Sequence, residues 1–239
     1  MSTSIEIHRE STEELIELDL WPNGAVATVL ETEGEQITGS VILIDLGAED
    51  PALKIIAVPD VTTDNLVPLM REAAGLAREA GGTVLRWIAE QDEGTAQALA
   101  ELGATQGEEL GRTWQADLLA EWTPQGSGAV VELPIPEDSG EFSFFLGLND
   151  AEGELYAEYG VEVEGDTASL VHNRDGEGTT EELAALVSAV LTKLKAEHSE
   201  VQFAETFAAT EDEQLARALT SLGFSPVQVS TVEFLLPLS

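Results

Sequence analysis

Gly176 and Gly178 stand between a run that reads as a strand, Thr167 to His172, and a run that reads as a long helix beginning at Thr179 or Thr180. Glycines in such a break let successive backbone N–H groups converge on an anion, and the helix start adds a favourable dipole, so the matching chemistry is polyphosphate binding. Arg174 offers one positive charge there, against the carboxylates of Asp175 and Glu177. Just before the break, His172 is the best-placed general base, because imidazole titrates near working pH. The same residues also read as a polar turn into a helix and as an ordinary polar strand end. Thr179 and Glu182 have capping-box spacing, which would occupy some of the helix's first N–H groups.

Other titratable groups have readings that need no chemistry. Glu158, Glu162 and Glu164 fall on one face of a strand, where one could act through a water or all could form its solvated side; Tyr156 and Tyr159 fall on opposite faces. His198, Lys193 and Lys195 suit the negative end of the long helix, and His8 has no motif around it. The three histidines are too scattered for a zinc cluster, and there is no cysteine, so no metal is expected and disulfide and thiolate chemistry are excluded. Trp21, Trp87, Trp114 and Trp122 are expected in core and interdomain packing rather than as a ligand platform.

The chain has 239 residues and a formal charge of −36, from 46 acidic and 10 basic side chains spread along its length. Such a surface repels nucleic acid and anionic membranes, so neither is expected as a partner. It reads as a solvated acidic exterior, with a decoy for a basic partner as the sharper alternative. No run approaches the ~20 apolar residues needed to span a bilayer, and the N-terminus lacks the pattern of a signal peptide, so a cytoplasmic location is expected.

The elements that position the glycines occur twice. Glu33-Gly34-Glu35 recurs as Glu152-Gly153-Glu154, and Ala98-Leu99-Ala100-Glu101-Leu102-Gly103-Ala104 recurs as Ala218-Leu219-Thr220-Ser221-Leu222-Gly223-Phe224, at offsets that agree within one residue. A duplicated domain follows, with residues 1–120 and 141–239 as the copies and the Pro- and Gly-interrupted stretch 121–140 as linker. In the first copy a helix capped by Ser11 and Glu14 precedes a hairpin of 25–31 and 37–45 and a third strand, 53–58. A helix follows from Asp64 or Asn65, with Pro68 confined to its first turn and Gly81-Gly82 as its stop. A strand at 83–88, a helix at 94–102 and a strand pair within 105–119 close the copy. The second copy repeats the order with a hairpin of 142–148 and 155–163, a strand at 167–172, the long helix, a strand at 201–207, a helix at 211–222, and a strand pair of 224–229 and 231–236. Each copy is therefore an α+β unit in which helices flank a mixed, mostly antiparallel sheet.

This order, the break after the third strand and the two Leu-Gly helix endings resemble the GNAT superfamily of N-acetyltransferases in a two-copy form, as in mycothiol synthases. The resemblance covers nearly the whole chain and implies two tandem GNAT-like domains, the first degenerate. The family's loop is Gln/Arg-x-x-Gly-x-Gly/Ala. Asn173-Arg174-Asp175-Gly176-Glu177-Gly178 keeps both glycines with Asn in the leading place, whereas Pro59-Asp60-Val61-Thr62-Thr63-Asp64-Asn65 has no glycine. The resemblance thus implies that acetyl-CoA, or another acyl-CoA, is held in the second copy by Val171, Asn173, Arg174, Gly176, Gly178 and Thr179, and that the acyl group passes to a small amine with His172 as base. The family's usual acid, a tyrosine four residues before the terminal glycine, is replaced by Leu99 and Leu219. That loss keeps a second reading open, a catalytically inactive descendant serving as a binding or assembly module.

Overall fold

A computed structural model describes residues 3–34, 36–45, 55–60, 63–91, 93–119, 130–136, 142–149, 152–174 and 178–238. They fall into two compact units, residues 1–109 with 231–239, and residues 110–230.

In unit 1, β1 (Thr3–His8) is followed by α1 (Glu13–Glu17), β2 (Ala25–Glu33), β3 (Gln36–Asp45), β4 (Ile55–Asp60), α2 (Thr63–Glu79), β5 (Val84–Glu90), α3 (Glu93–Leu102) and the start of β6 (Thr105–Asp117). In unit 2, the rest of β6 leads to β7 (Val130–Leu133), β8 (Phe142–Asn149), β9 (Leu155–Glu164), β10 (Thr167–Arg174), α4 (Thr180–Glu197), β11 (Phe203–Ala209), α5 (Glu213–Ser221) and β12 (Ser225–Pro237), whose last residues return to unit 1. The first four strands of unit 1 pair antiparallel in order, β4 pairs parallel with β5, and β5 pairs antiparallel with residues 231–237 of β12. Unit 2 repeats the plan: β7, β8, β9 and β10 pair antiparallel, β10 pairs parallel with β11, and β11 pairs antiparallel with residues 111–117 of β6.

The two closing segments correct the expected strand pairs. Each is one continuous strand of 13 residues. A tight hairpin needs positive φ in its turn, and neither Gly107 nor Gly111 adopts it. The chain runs straight on instead, and each copy in the sequence completes its sheet with a strand from the other. The compact units consequently divide after Glu109 and Ser230 rather than within 121–140.

Other boundaries moved as well. Residues 130–133 inside the expected linker form the edge strand β7, and β1, which the sequence left unassigned, holds the same place in unit 1. The cap of α1 is Thr12, whose hydroxyl accepts from the Leu15 N–H at 3.3 Å, and not Ser11. Pro68 sits inside α2, which begins at Thr63, rather than in its first turn.

Packing follows the amphipathic pattern. Leu183, Leu186, Val187, Val190, Leu191 and Leu194 of α4 are buried against β8, β9 and β10, and full burial of each such side chain stabilises by about 1.5–3 kcal/mol. In unit 1, Leu69, Met70 and Ala73 of α2 cover Val29, Val41, Leu43 and Leu85. Val232, Phe234, Leu236 and Leu238 belong to this same core, so the end of the second copy is a structural part of the first. Both Leu-Gly endings behave alike: Gly103 and Gly223 take φ of 75° and 88°, and the next N–H returns to Leu99 or Leu219 at 3.1 Å.

Candidate functional site

β10 and β11 run side by side only part of the way. Their parallel register covers Thr167 to Leu170 against Phe203 to Thr206, and among the described residues no further pair follows, although β10 continues to Arg174 and β11 to Ala209. The ladder ends at a buried side-chain bond, Thr206 Oγ1 donating to the Leu170 carbonyl at 2.8 Å. Beyond it the strands part and leave a slot. Exposed Val171 and Phe207 flank the opening on the sheet face opposite the unit 2 core.

His172 lies on the other face. It stands opposite Tyr159 in the β9–β10 register, with ring centroids 5.4 Å apart and planes tilted by 33°, and it is half-buried on the side covered by α4. Tyr159 is almost fully buried in the core. Asn173 and Arg174 continue β10 in register with Glu158 and Ala157. Gly176 lies outside the described residues, as do Asp175 and Glu177.

At the end of the slot is the start of α4. Thr179 caps it, and the capping box is complete: the Glu182 N–H donates to Thr179 Oγ1 at 3.3 Å, and the Thr179 N–H donates to Glu182 Oε2 at 2.9 Å. The Thr179 hydroxyl gives the same carboxylate oxygen a 2.8 Å bond, and the Tyr156 hydroxyl adds another. The Thr179 backbone N–H, then its hydroxyl, and then Tyr156 hold the Glu182 carboxyl below its usual value. A carboxylate therefore already sits on the positive end of the helix, leaving Thr180 and Glu181 with the N–H groups that the box does not use.

Gly178 is buried, and a Cβ there would come within 3.2 Å of Leu183 and 3.5 Å of Tyr156. Close packing explains this glycine without any ligand. Sequence reasoning missed Thr206 and the part played by Tyr156. A threonine on the same strand face as Ala204 and Ala208 was the available signal for the first.

The corresponding break in unit 1 is built differently. Among the described residues β4 and β5 pair only at Ile55–Leu85 and Ile56–Arg86. The central residue of β5, equivalent to Thr206 in β11, is Trp87, fully buried with its ring 5.8 Å from Phe234. An indole fills the place where unit 2 keeps a hydroxyl. Leu99 and Leu219, in the places of the family's tyrosine, are both buried core residues.

The remaining candidates have structural roles. Lys193 bridges Glu197 at 2.9 Å and Glu132 of β7 at 3.1 Å, and these partners raise its pKa. His198 is the C-cap of α4, with Nδ1 3.3 Å from Glu200. Trp114 packs against the unit 2 core, and Trp122 lies outside the described residues. Among the described residues no three His, Asp or Glu side chains gather as a metal site, and no helix is long and apolar enough to cross a membrane.

No family model and no curated protein sequence matches the chain. Solved structures do. A tandem GNAT protein from the clavulanic acid biosynthesis pathway, without acetyl-CoA, is similar at 18% identity and a TM-score of 0.65 over 92% of this chain and 85% of that one. A GNAT-family acetyltransferase from Colwellia psychrerythraea shares 12% identity at 0.57 over 98% and 99%. The glucosamine N-acetyltransferase region of a fungal GH3 β-N-acetylglucosaminidase shares 10% at 0.57, over 98% of this chain and 38% of that one. At these identities the likeness is one of fold, and the fold is that of tandem GNAT proteins, α+β with mostly antiparallel sheets.

Proposed function

We propose, with the tandem GNAT fold as premise, that this chain is an acyl-CoA-dependent N-acyltransferase that loads its cosubstrate in unit 2 and acts on a small amine. The carrying observation is the parting of β10 and β11 beyond the Thr206–Leu170 bond, directly ahead of a long helix. An extended chain bearing amides suits that slot, because it can lie between the two strands in the manner of an added strand. Val171 and Phe207 offer apolar contact beside it. The loop from Asn173 to Gly178 and the N–H groups of Thr180 and Glu181 would meet the phosphates.

Acyl-CoA supplies an activated thioester carbonyl. His172 would take the proton that an ammonium substrate must lose before its nitrogen can attack. With leucine in both tyrosine places, the departing thiolate would take its proton from solvent. No metal is called for, the acidic surface disfavours nucleic acid and anionic membranes, and a cytoplasmic location suits the cosubstrate.

Acetyl-CoA titrated calorimetrically into the full chain at two salt concentrations tests the reading, since salt screens the surface charge without removing a real site. Saturable binding near one equivalent supports it; no heat at either salt overturns it. The second reading, an inactive binding module, is favoured by the Glu182 carboxylate on the helix start. Turnover of acetyl-CoA with any amine in a screen excludes that reading.

A further inference from the structure

Among the described residues β1 is the outermost strand of unit 1, paired with β2 along Thr3 to His8. The far side of such a strand presents a row of backbone N–H and C=O groups, a template for one more strand. Five of its six residues are exposed. Alternation sets Ile5 and Ile7 on one face, 38% and 41% exposed, and Glu6 on the other, its side chain 55% exposed.

The outermost strand of unit 2 is protected where β1 is not. β7 has only four residues and runs into Pro134 and Pro136, and Lys193 of α4 holds its Glu132 at 3.1 Å. Short length, proline and lysine are the usual devices that keep an edge from pairing. β1 is longer and contains neither proline nor lysine.

Charge selects the strand that fits. Glu6 is the charged residue within β1 at neutral pH, Glu10 follows it, and the nearby Arg9 is engaged by Glu79 at 2.7 Å. A second copy of this chain would bring another net charge of −36 and add glutamates to the shared edge, and like charges across a strand pair are destabilising. We propose that β1 accepts an extended basic segment of a partner protein as an added strand, its residues alternating between cationic and apolar. Main-chain hydrogen bonds to β1 supply the affinity, apolar side chains lie beside Ile5 and Ile7, and a lysine or arginine meets Glu6. The net charge of the chain raises the rate of encounter with such a segment. This surface belongs to unit 1 and does not depend on acyl transfer in unit 2.

The test titrates the full chain with an acetylated and amidated peptide of alternating valine and lysine. One control is the same peptide methylated at every backbone nitrogen, which keeps the charge and deletes the hydrogen-bond donors. We expect saturation near one equivalent and slower amide hydrogen exchange in residues 3–8. Affinity should be about ten-fold lower for the methylated peptide and for the Glu6→Lys variant, whose exposed position leaves the fold intact. Equal affinity for the methylated peptide would overturn the proposal and assign binding to diffuse attraction by the net charge. Unchanged exchange in β1, or unchanged affinity in Glu6→Lys, would overturn it by placing the peptide elsewhere. Sedimentation of the chain alone as a dimer that Ile7→Lys splits would overturn it by giving the edge to a second copy.

Discussion

Thr206 and Leu170 share the last bond that ties β10 to β11: the threonine hydroxyl donates to the leucine carbonyl at 2.8 Å, buried from solvent. Thr206→Val keeps the side-chain shape and deprives that carbonyl of its donor. The variant should lose about 1–3 kcal/mol in urea unfolding, the cost of a buried acceptor left unmet. A loss below about 0.5 kcal/mol would mean that water enters the slot and replaces the hydroxyl.

Glu182 is expected to compete with phosphate for the start of α4. Glu182→Gln removes the negative charge but leaves an oxygen to accept from Thr179, so acetyl-CoA should bind several-fold more tightly, most visibly at low salt. Unchanged affinity at both salts would separate the helix start from the cosubstrate.

The same residue gives a pH dependence of definite sign. Its folded-state pKa is depressed by the Thr179 N–H and hydroxyl and by Tyr156, so its stabilisation is fully present above the unfolded value near 4.5 and disappears as pH falls through the lowered folded value. The side chain is exposed, which limits the contribution to less than about 1 kcal/mol. Acid unfolding of Glu182→Gln should therefore be slightly shallower than that of the parent, and a steeper curve would contradict the assignment.

Phe234 belongs to the second copy in sequence and to unit 1 in space. Phe234→Ala should cost about 3–5 kcal/mol. Hydrogen exchange should show the loss in β2, β3 and β5 while α4 keeps its protection. Equal loss in both units would indicate a single cooperative body rather than two.

Gly223 takes a φ of 88°, which an alanine tolerates poorly. Gly223→Ala should lower stability by about 1–2 kcal/mol, measured as a drop in urea midpoint at constant slope.

Local chemistry made much of this legible in the sequence. The capping box at Thr179 and Glu182, the Leu-Gly endings at 103 and 223, and the long helix after the break are set by residues close together in the chain, and each is present as expected. The exchange of β6 and β12 was not legible, because a strand's own residues do not specify which edge it will join. β7 was hidden by the prolines and glycines around it, and the α1 cap slipped by one residue where Ser11 and Thr12 offer the same chemistry. At the candidate site, His172 and Gly178 were singled out from type and position. The tight contacts of Gly178 with Leu183 and Tyr156 arise only after folding, and the parting of β10 from β11 is a property of two strands that neither sequence states alone.

The traded strands also govern how the chain can come off a ribosome. β5 must wait for a partner made roughly 150 residues later, a large loop to close. The first copy cannot finish its sheet until the second copy has been synthesised, because its final strand follows that copy in the chain. Cutting the gene between the copies would therefore yield neither ancestor. Whatever duplication produced this protein, the two products have become mutually dependent and must be inherited, expressed and degraded together.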